Sequence, residues 1–304
     1  VTGVQTCALP ISPQYVYDWK RIPQNWQSSK LYCIQIRMKA EDYSQGDAFQ
    51  AEKRSLFSTG WLPVCATGQL PTAGDFQSVT VGGWSVVAIR DGDGTVSVLR
   101  NSCRHQNMQV VGTPSGNCQN LRCRFHGWTY DLKGRFQSAP PHFAPPATQI
   151  DRDLAALPAA EAQGLLFFSH ERPAAPPVLA DLPGYGGTLV TDIACNWKVL
   201  AEHLLAEQPE QSSDFTWLPP LLAVRRAGKT VIVKQIVPHT FLRTRLFTHV
   251  YGDVAESRKA AAGLIKHACE LLQADRAEGR MAPGGSTALA ALHKSLEEAY
   301  AGSS

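Results

Sequence analysis

The 304-residue chain has no unbroken apolar run near the roughly 18 residues that a membrane-spanning helix needs. Its strongest candidate, Leu165–Phe168, is far too short, and this excludes a helical membrane protein. No glycine fingerprint follows a predicted strand and no segment repeats, which excludes a nucleotide-binding domain and a solenoid; any nicotinamide would sit on another protein. No secretory signal is present, so the cysteines read as reduced thiols or metal ligands in a cytoplasmic protein. An initiator methionine is also missing. Val1 to Ile11 reads as a translated sequencing adapter, whereas Met38 opens a protein-like run, Lys39-Ala40-Glu41-Asp42-Tyr43. Residues 1–37 are therefore expected to be adapter or upstream sequence. Without them the formal charge falls from +3 to zero, since they hold Lys20, Arg21, Lys30 and Arg37 against Asp18. No basic surplus then remains to attract nucleic acid. The cysteines fall from eight to six with the loss of Cys7 and Cys33.

What remains is an ordinary folding composition, 44% hydrophobic, in a length that suits about two domains. Residues 45–57 place Ala48, Ala51 and Leu56 among polar residues, as in a short amphipathic helix that ends near Thr59-Gly60. Residues 61–65, 77–81, 84–89 and 96–99 are short β-branched or aromatic runs. Gly82-Gly83 and Asp91-Gly92-Asp93-Gly94 punctuate them, which predicts antiparallel hairpins. The prolines of 139–146 supply no amide donors, so this stretch is read as a loop or linker with neither ladder nor helix. Further on, the periodicity predicts a helix over 197–207 and strands over 221–226, 230–237 and 241–251. Helices over 255–278 and 286–300 close the chain, with Leu264, Ile265, Ala268, Leu271 and Leu272 as the core-facing stripe of the first.

The strongest chemical signal is Cys103-Arg104-His105, seventeen intervening residues, then Cys123-Arg124-Phe125-His126-Gly127-Trp128. Each half offers one thiolate and one imidazole. Two thiolates can neutralise one iron of a [2Fe–2S] core while two imidazoles hold the other, and this exchange raises the potential to roughly −150 to +300 mV, which suits an electron relay. Tetrahedral zinc also accepts two Cys and two His. Zinc fingers, however, group Cys with Cys and His with His, whereas here they alternate.

The C-x-H and C-x2-H pair, with Gly127-Trp128-Thr129-Tyr130-Asp131-Leu132-Lys133-Gly134-Arg135 behind it, resembles the Rieske family. The resemblance implies that Cys103 and Cys123 ligate one iron and His105 and His126 the other. It also implies that Gly127 permits close backbone approach and that Trp128 packs behind the loop. Arg124 stands where proline is common. Respiratory members carry an extra, disulfide-forming cysteine in each loop, and Met108 and Phe125 occupy those positions. The chain therefore resembles the oxygenase and ferredoxin branch. Cys118 lies off the motif and receives no role. The proline loop over 140–146 reads either as a cover for the cluster or as a stiff interdomain linker.

Residues 48–61 and the run Cys195-Asn196-Trp197-Lys198-Val199-Leu200-Ala201-Glu202-His203-Leu204 are similar to the α subunits of Rieske non-haem iron oxygenases. The fold implied is α+β: an antiparallel β Rieske domain, then a helix-grip (START-like) antiparallel sheet with a long C-terminal helix. The expected divisions are 1–37 non-native, 38–58 N-terminal helix, 59–150 Rieske domain, 151–184 linker and return strands, and 185–304 a truncated helix-grip domain. In that family a D/E-x2-H-x4-H run and a later aspartate hold a mononuclear iron(II). This sequence lacks the run, and Ile265 precedes Cys269-Glu270 where the aspartate is expected. Substitute ligands could come from His203 and Glu207, spaced i and i+4, with His249 from a strand. His249 alternates with Arg243 and Arg245, which places it on a polar outer face, and His267 and His293 read as exposed.

Two functions stay open. One is an oxygenase α-subunit homologue that takes electrons from a reductase or ferredoxin and acts on an aromatic or quaternary-ammonium substrate. The other is a cluster-only electron carrier or small-molecule binder that has lost the mononuclear iron. Catalytic residues are unassigned in both, and the resemblance allows a homotrimer.

Overall fold

The computed structural model describes residues 38–146, 148–149, 151–171, 175–179, 181–206, 214–252, 258–280 and 287–301. The adapter-like stretch, Cys7, Cys33 and Glu207 lie outside them. Three short helices open the described chain: α1 (Ala40–Ser44), α2 (Gly46–Arg54) and α3 (Leu56–Thr59). The single helix expected over 45–57 is thus broken near Ser55, whose hydroxyl donates back to the Ala51 carbonyl and competes with the helical ladder.

Eleven strands follow: β1 (Leu62–Ala66), β2 (Asp75–Val81), β3 (Trp84–Arg90), β4 (Val96–Arg100), β5 (Ser115–Asn117), β6 (Leu121–Arg122), β7 (Thr129–Tyr130), β8 (Phe136–Ser138), β9 (Ala156–Leu157), β10 (Ala159–Ala162) and β11 (Leu165–Phe168). They form three antiparallel sheets, ordered β5-β2-β3-β4-β9, β6-β7-β8 and β1-β11-β10. The β2–β3 hairpin turns on Gly82 and Gly83, both at positive φ, +57° and +77°. Gly82 is needed for a second reason: a Cβ there would lie 2.6 Å from the Phe57 ring. The β3–β4 turn is tied by Asp91, whose carboxylate accepts the amides of Asp93 and Thr95.

The second half gives β12 (Tyr185–Ile193), α4 (Trp197–Ala206), β13 (Phe215–Leu218), β14 (Leu222–Ala227), β15 (Thr230–Thr240), β16 (Arg243–Tyr251), α5 (Arg258–Ala277) and α6 (Thr287–Ala301). Its five-stranded antiparallel sheet runs β12-β16-β15-β14-β13 and packs against α4 and α5. This is the expected α+β arrangement. Strands β12 and β13 went unread in the sequence because glycine and threonine in one and tryptophan in the other break any clear alternation. On α5, Ile265 is buried, but Leu271 is 59% exposed and does not belong to the core stripe.

Eight of the ten residues of α4 are buried, Lys198 and Glu202 among them. Buried charges need partners, and two carboxylates supply them. Glu52 of α2 accepts from Lys198 Nζ at 2.5 Å, Trp197 Nε1 at 2.7 Å and the Tyr300 hydroxyl at 2.7 Å. Glu202 accepts from the Tyr43 hydroxyl at 2.5 Å, His293 Nε2 at 2.9 Å and Arg276 Nε at 3.1 Å. Burial pushes the Glu202 carboxyl upward, yet its bond from His293, the Arg276 charge and the Tyr43 bond outweigh this and hold its pKa below the usual range. His293, expected to be exposed, is buried because Glu202 needs it; His267 is exposed as expected. One apolar cluster runs from Phe57 and Leu62 through Phe168 and Trp197 to Leu246 and Leu296. Among the described residues no helix is long and apolar enough to cross a membrane.

Candidate metal centre

Two loops built on one plan carry the four candidate ligands. In the first, the Cys103 amide donates to the Met108 carbonyl at 2.8 Å, and the Asn107 amide donates to the Cys103 carbonyl at 2.8 Å. In the second, the Cys123 amide donates to the Trp128 carbonyl at 2.8 Å, and the Gly127 amide to the Cys123 carbonyl at 2.9 Å. Each loop therefore closes over five residues and needs a left-handed residue four past the cysteine. Asn107 at φ +56° and Gly127 at +72° fill that need. Buried Asn101 holds the first loop shut by accepting the amides of Val110 and Val111 and donating to the Val111 carbonyl.

The cysteines lie inside, 1% and 2% exposed, and the histidines are half-buried. His105 Nδ1 and His126 Nδ1 face each other at 3.1 Å, with their rings nearly perpendicular at 82°. Trp128 stacks on His105 at 5.2 Å between centroids, and its Nε1 donates to the Phe143 carbonyl at 2.6 Å. Phe143 in turn lies 4.4 Å from the His126 ring. The proline stretch thus packs beside both imidazoles. It contains a one-turn 3₁₀ helix, Pro141–Phe143, where the sequence suggested none, because Pro141 occupies a first-turn position that needs no amide donor. Pro140 also sits against Gly127, where a Cβ would approach its ring to 3.0 Å.

The Tyr130 hydroxyl lies 3.1 Å from Cys103 Sγ and accepts the Arg104 amide at 3.1 Å. Burial pushes the Cys103 thiol up, and burial together with its bond to Cys103 pushes the Tyr130 hydroxyl up. This tyrosine has no role in the sequence reading.

The donor set suits two irons. A [2Fe–2S] core asks for two protein ligands per iron. Two buried thiols and two imidazoles with Nδ1 atoms aimed into the same space meet that demand. The six described cysteines are all free, so no disulfide braces the loops; the exposed Met108 and Phe125 stand there instead.

The Rieske [2Fe-2S] domain family matches residues 60–154. Residues 60–154 are a Rieske [2Fe–2S] domain. The chain is 26% identical over 205 residues to the α subunit of chlorobenzene dioxygenase from Cupriavidus sp. (strain PS12), covering 60% of this chain and 46% of that protein. It is 32% identical over 173 residues to the oxygenase subunit of glycine betaine monooxygenase from Chromohalobacter salexigens, covering 55% and 37%. The chain thus spans less than half the length of these curated relatives. Among solved structures, the apo form of the quaternary ammonium Rieske monooxygenase CntA superposes with a TM-score of 0.63 at 19% identity, over 79% of this chain and 84% of that one. An indole-bound naphthalene 1,2-dioxygenase gives 0.55 at 16%, over 86% and 80%. At these identities the likeness is one of fold: Rieske domain followed by helix-grip sheet.

The second-half candidates are not arranged as free ligands. His249 is fully buried, not on a polar outer face. Its Nδ1 lies 2.7 Å from the Thr188 hydroxyl and its Nε2 2.8 Å from Gln235 Oε1, so both nitrogens are already engaged. Burial lowers its pKa to about 3 and keeps the ring neutral. His203 lies half-buried on α4.

Proposed function

We propose that this chain is a Rieske-type oxidoreductase of the oxygenase α-subunit kind, working in the cytoplasm. Cys103 and Cys123 hold one iron of its cluster, and His105 and His126 hold the other. The observation that carries the assignment is the pair of matched loops, which bury both thiols and turn both imidazoles toward the same space at the protein surface. When bound, the cluster supplies one-electron chemistry at a raised potential. The residues around it do the rest. Burial of Cys103 and Cys123 keeps water from the sulfur side, Trp128 and Phe143 fix the imidazole planes, and the half-buried histidine edges form the route for electrons from a reductase or ferredoxin.

The reading includes a small substrate of the aromatic or quaternary-ammonium classes named for the relatives above, and it assigns that substrate to the helix-grip half. The hydrogen bonds that engage His249, together with the missing D/E-x2-H-x4-H run, favour a second reading, a cluster-only electron carrier or small-molecule binder. Iron, sulfide and zinc per chain on anaerobically purified protein, with electron paramagnetic resonance of the reduced sample, separate the two. Two irons with two sulfides identify the carrier. A third iron identifies an oxygenase with substitute ligands, and zinc without sulfide overturns both readings.

A further inference from the structure

Outside the four proposed cluster ligands, three side chains converge on one indole. Trp84 opens β3. The Lys53 ammonium of α2 lies 4.4 Å from its ring centroid, and the Arg100 guanidinium at the end of β4 lies 4.8 Å away. The His170 ring, two residues past β11, lies 3.7 Å from it at a tilt of 41°. All four residues are half-buried, within reach of solvent yet shielded from it.

The charge balance of this cluster is one-sided. Among the described residues no ion pair is seen for Lys53 or Arg100, and two like charges share one ring. The neighbouring carboxylate, Glu52, is spent on Lys198, Trp197 and Tyr300. The Trp84 Nε1 and His170 Nε2 atoms are buried and have no hydrogen-bond partner among the described residues. An indole N–H can only donate, and a buried donor without an acceptor is unfavourable. Burial first, then the nearby Arg100 and Lys53 charges, lower the His170 pKa to about 4, so the imidazole does not add a third cation at neutral pH. An anion with lone pairs would answer both needs, since it neutralises two cations and accepts from the indole. One face of the indole is already covered by His170, which leaves no room to stack a ligand ring there and favours a compact group.

We propose that Lys53, Trp84, Arg100 and His170 form a binding site for the oxyanion group of a small molecule, a carboxylate or a phosphate. The site is separate from the cluster and does not depend on how the cluster functions.

Equilibrium dialysis of the holoprotein against radiolabelled phosphate, and in a second arm acetate, at ionic strength fixed with sodium chloride, tests this. One saturable site per chain is expected in at least one arm, and the arm that saturates names the oxyanion. Lys53→Gln and Arg100→Gln should each weaken it by about tenfold or more, as loss of a charge-assisted contact implies. Arg54→Gln, an exposed cation on the same helix, should leave it unchanged. Absence of saturation in both arms, or an equal loss in Arg54→Gln, overturns the site. A measurement on the unaltered protein guards against variants that fold poorly: acylation by an N-hydroxysuccinimide ester, read by mass spectrometry. The saturating anion should protect Lys53 and not the exposed Lys39, and equal labelling of Lys53 with and without anion overturns the proposal.

Discussion

Three of the four proposed cluster ligands pack against an aromatic neighbour. Cys103 sits against the Tyr130 hydroxyl, His105 against Trp128 and His126 against Phe143. A hydrogen bond to a ligating sulfur favours the reduced, more negative cluster and raises its potential. Tyr130→Phe should therefore lower the potential by roughly 40 mV, the one-electron equivalent of about 1 kcal/mol for one hydrogen bond. Redox titration of the holoprotein checks this, and an unchanged potential would mean that the hydroxyl serves only the Arg104 amide. Cys103→Ser should abolish the visible absorption of the cluster and lower the melting temperature, because ligand binding contributes folding energy. A serine variant that kept its colour and its melting temperature would remove Cys103 from the ligand set.

Glycine marks the elements that place these residues. Gly82 turns β2 into β3 at positive φ while Phe57 of α3 packs against it, so any side chain there meets both backbone strain and the aromatic ring. Gly82→Ala should cost about 2–4 kcal/mol, the sum of a left-handed alanine and an overpacked contact. Chemical denaturation of the two proteins measures it, and a difference below about 1 kcal/mol would show that the hairpin relaxes without loss. The ligand loops were legible for a different reason. The C-x-H and C-x2-H spacing with the following Gly127-Trp128 is a local pattern, whereas the left-handed turn at Asn107 appeared only in the structure. Helix α4 was legible as a helix for its run of apolar residues, whereas the burial of Lys198 and Glu202 within it was not. Their partners Glu52, Tyr43, Arg276 and His293 come from four other helices.

Across the whole molecule, buried ionisable groups set the response to acid. The folded-state pKa of His249 is depressed to about 3 from an unfolded value of about 6.5. Below the unfolded value the unfolded chain takes up a proton that the folded chain refuses, so stability present above about pH 6.5 is lost as pH falls toward 3. The half-buried His170 acts in the same direction, with its folded pKa lowered to about 4. Glu202, also depressed, adds a loss that begins near the unfolded carboxylate value of about 4.3. The unfolding free energy should fall steadily from pH 7 to pH 5, with a limiting slope of about 1.4 kcal/mol per pH unit for His249 and a smaller one for half-buried His170, as chemical denaturation across this range would show. His249→Gln should flatten that slope, and an identical slope in the variant would show that His249 is charged in the folded state. By itself the sequence determined the Rieske domain, its four candidate ligands, the hairpins and most helices of the second half. Those features rest on spacing, turn chemistry and periodicity, which act over a few residues. Tertiary structure alone decided that His249 and His293 are buried, that Leu271 is exposed, that Tyr130 and Phe143 serve the centre, and that Lys53 and Arg100 share one indole. In each case the deciding neighbour lies far away along the chain, and only packing brings it within reach of a hydrogen bond or a charge.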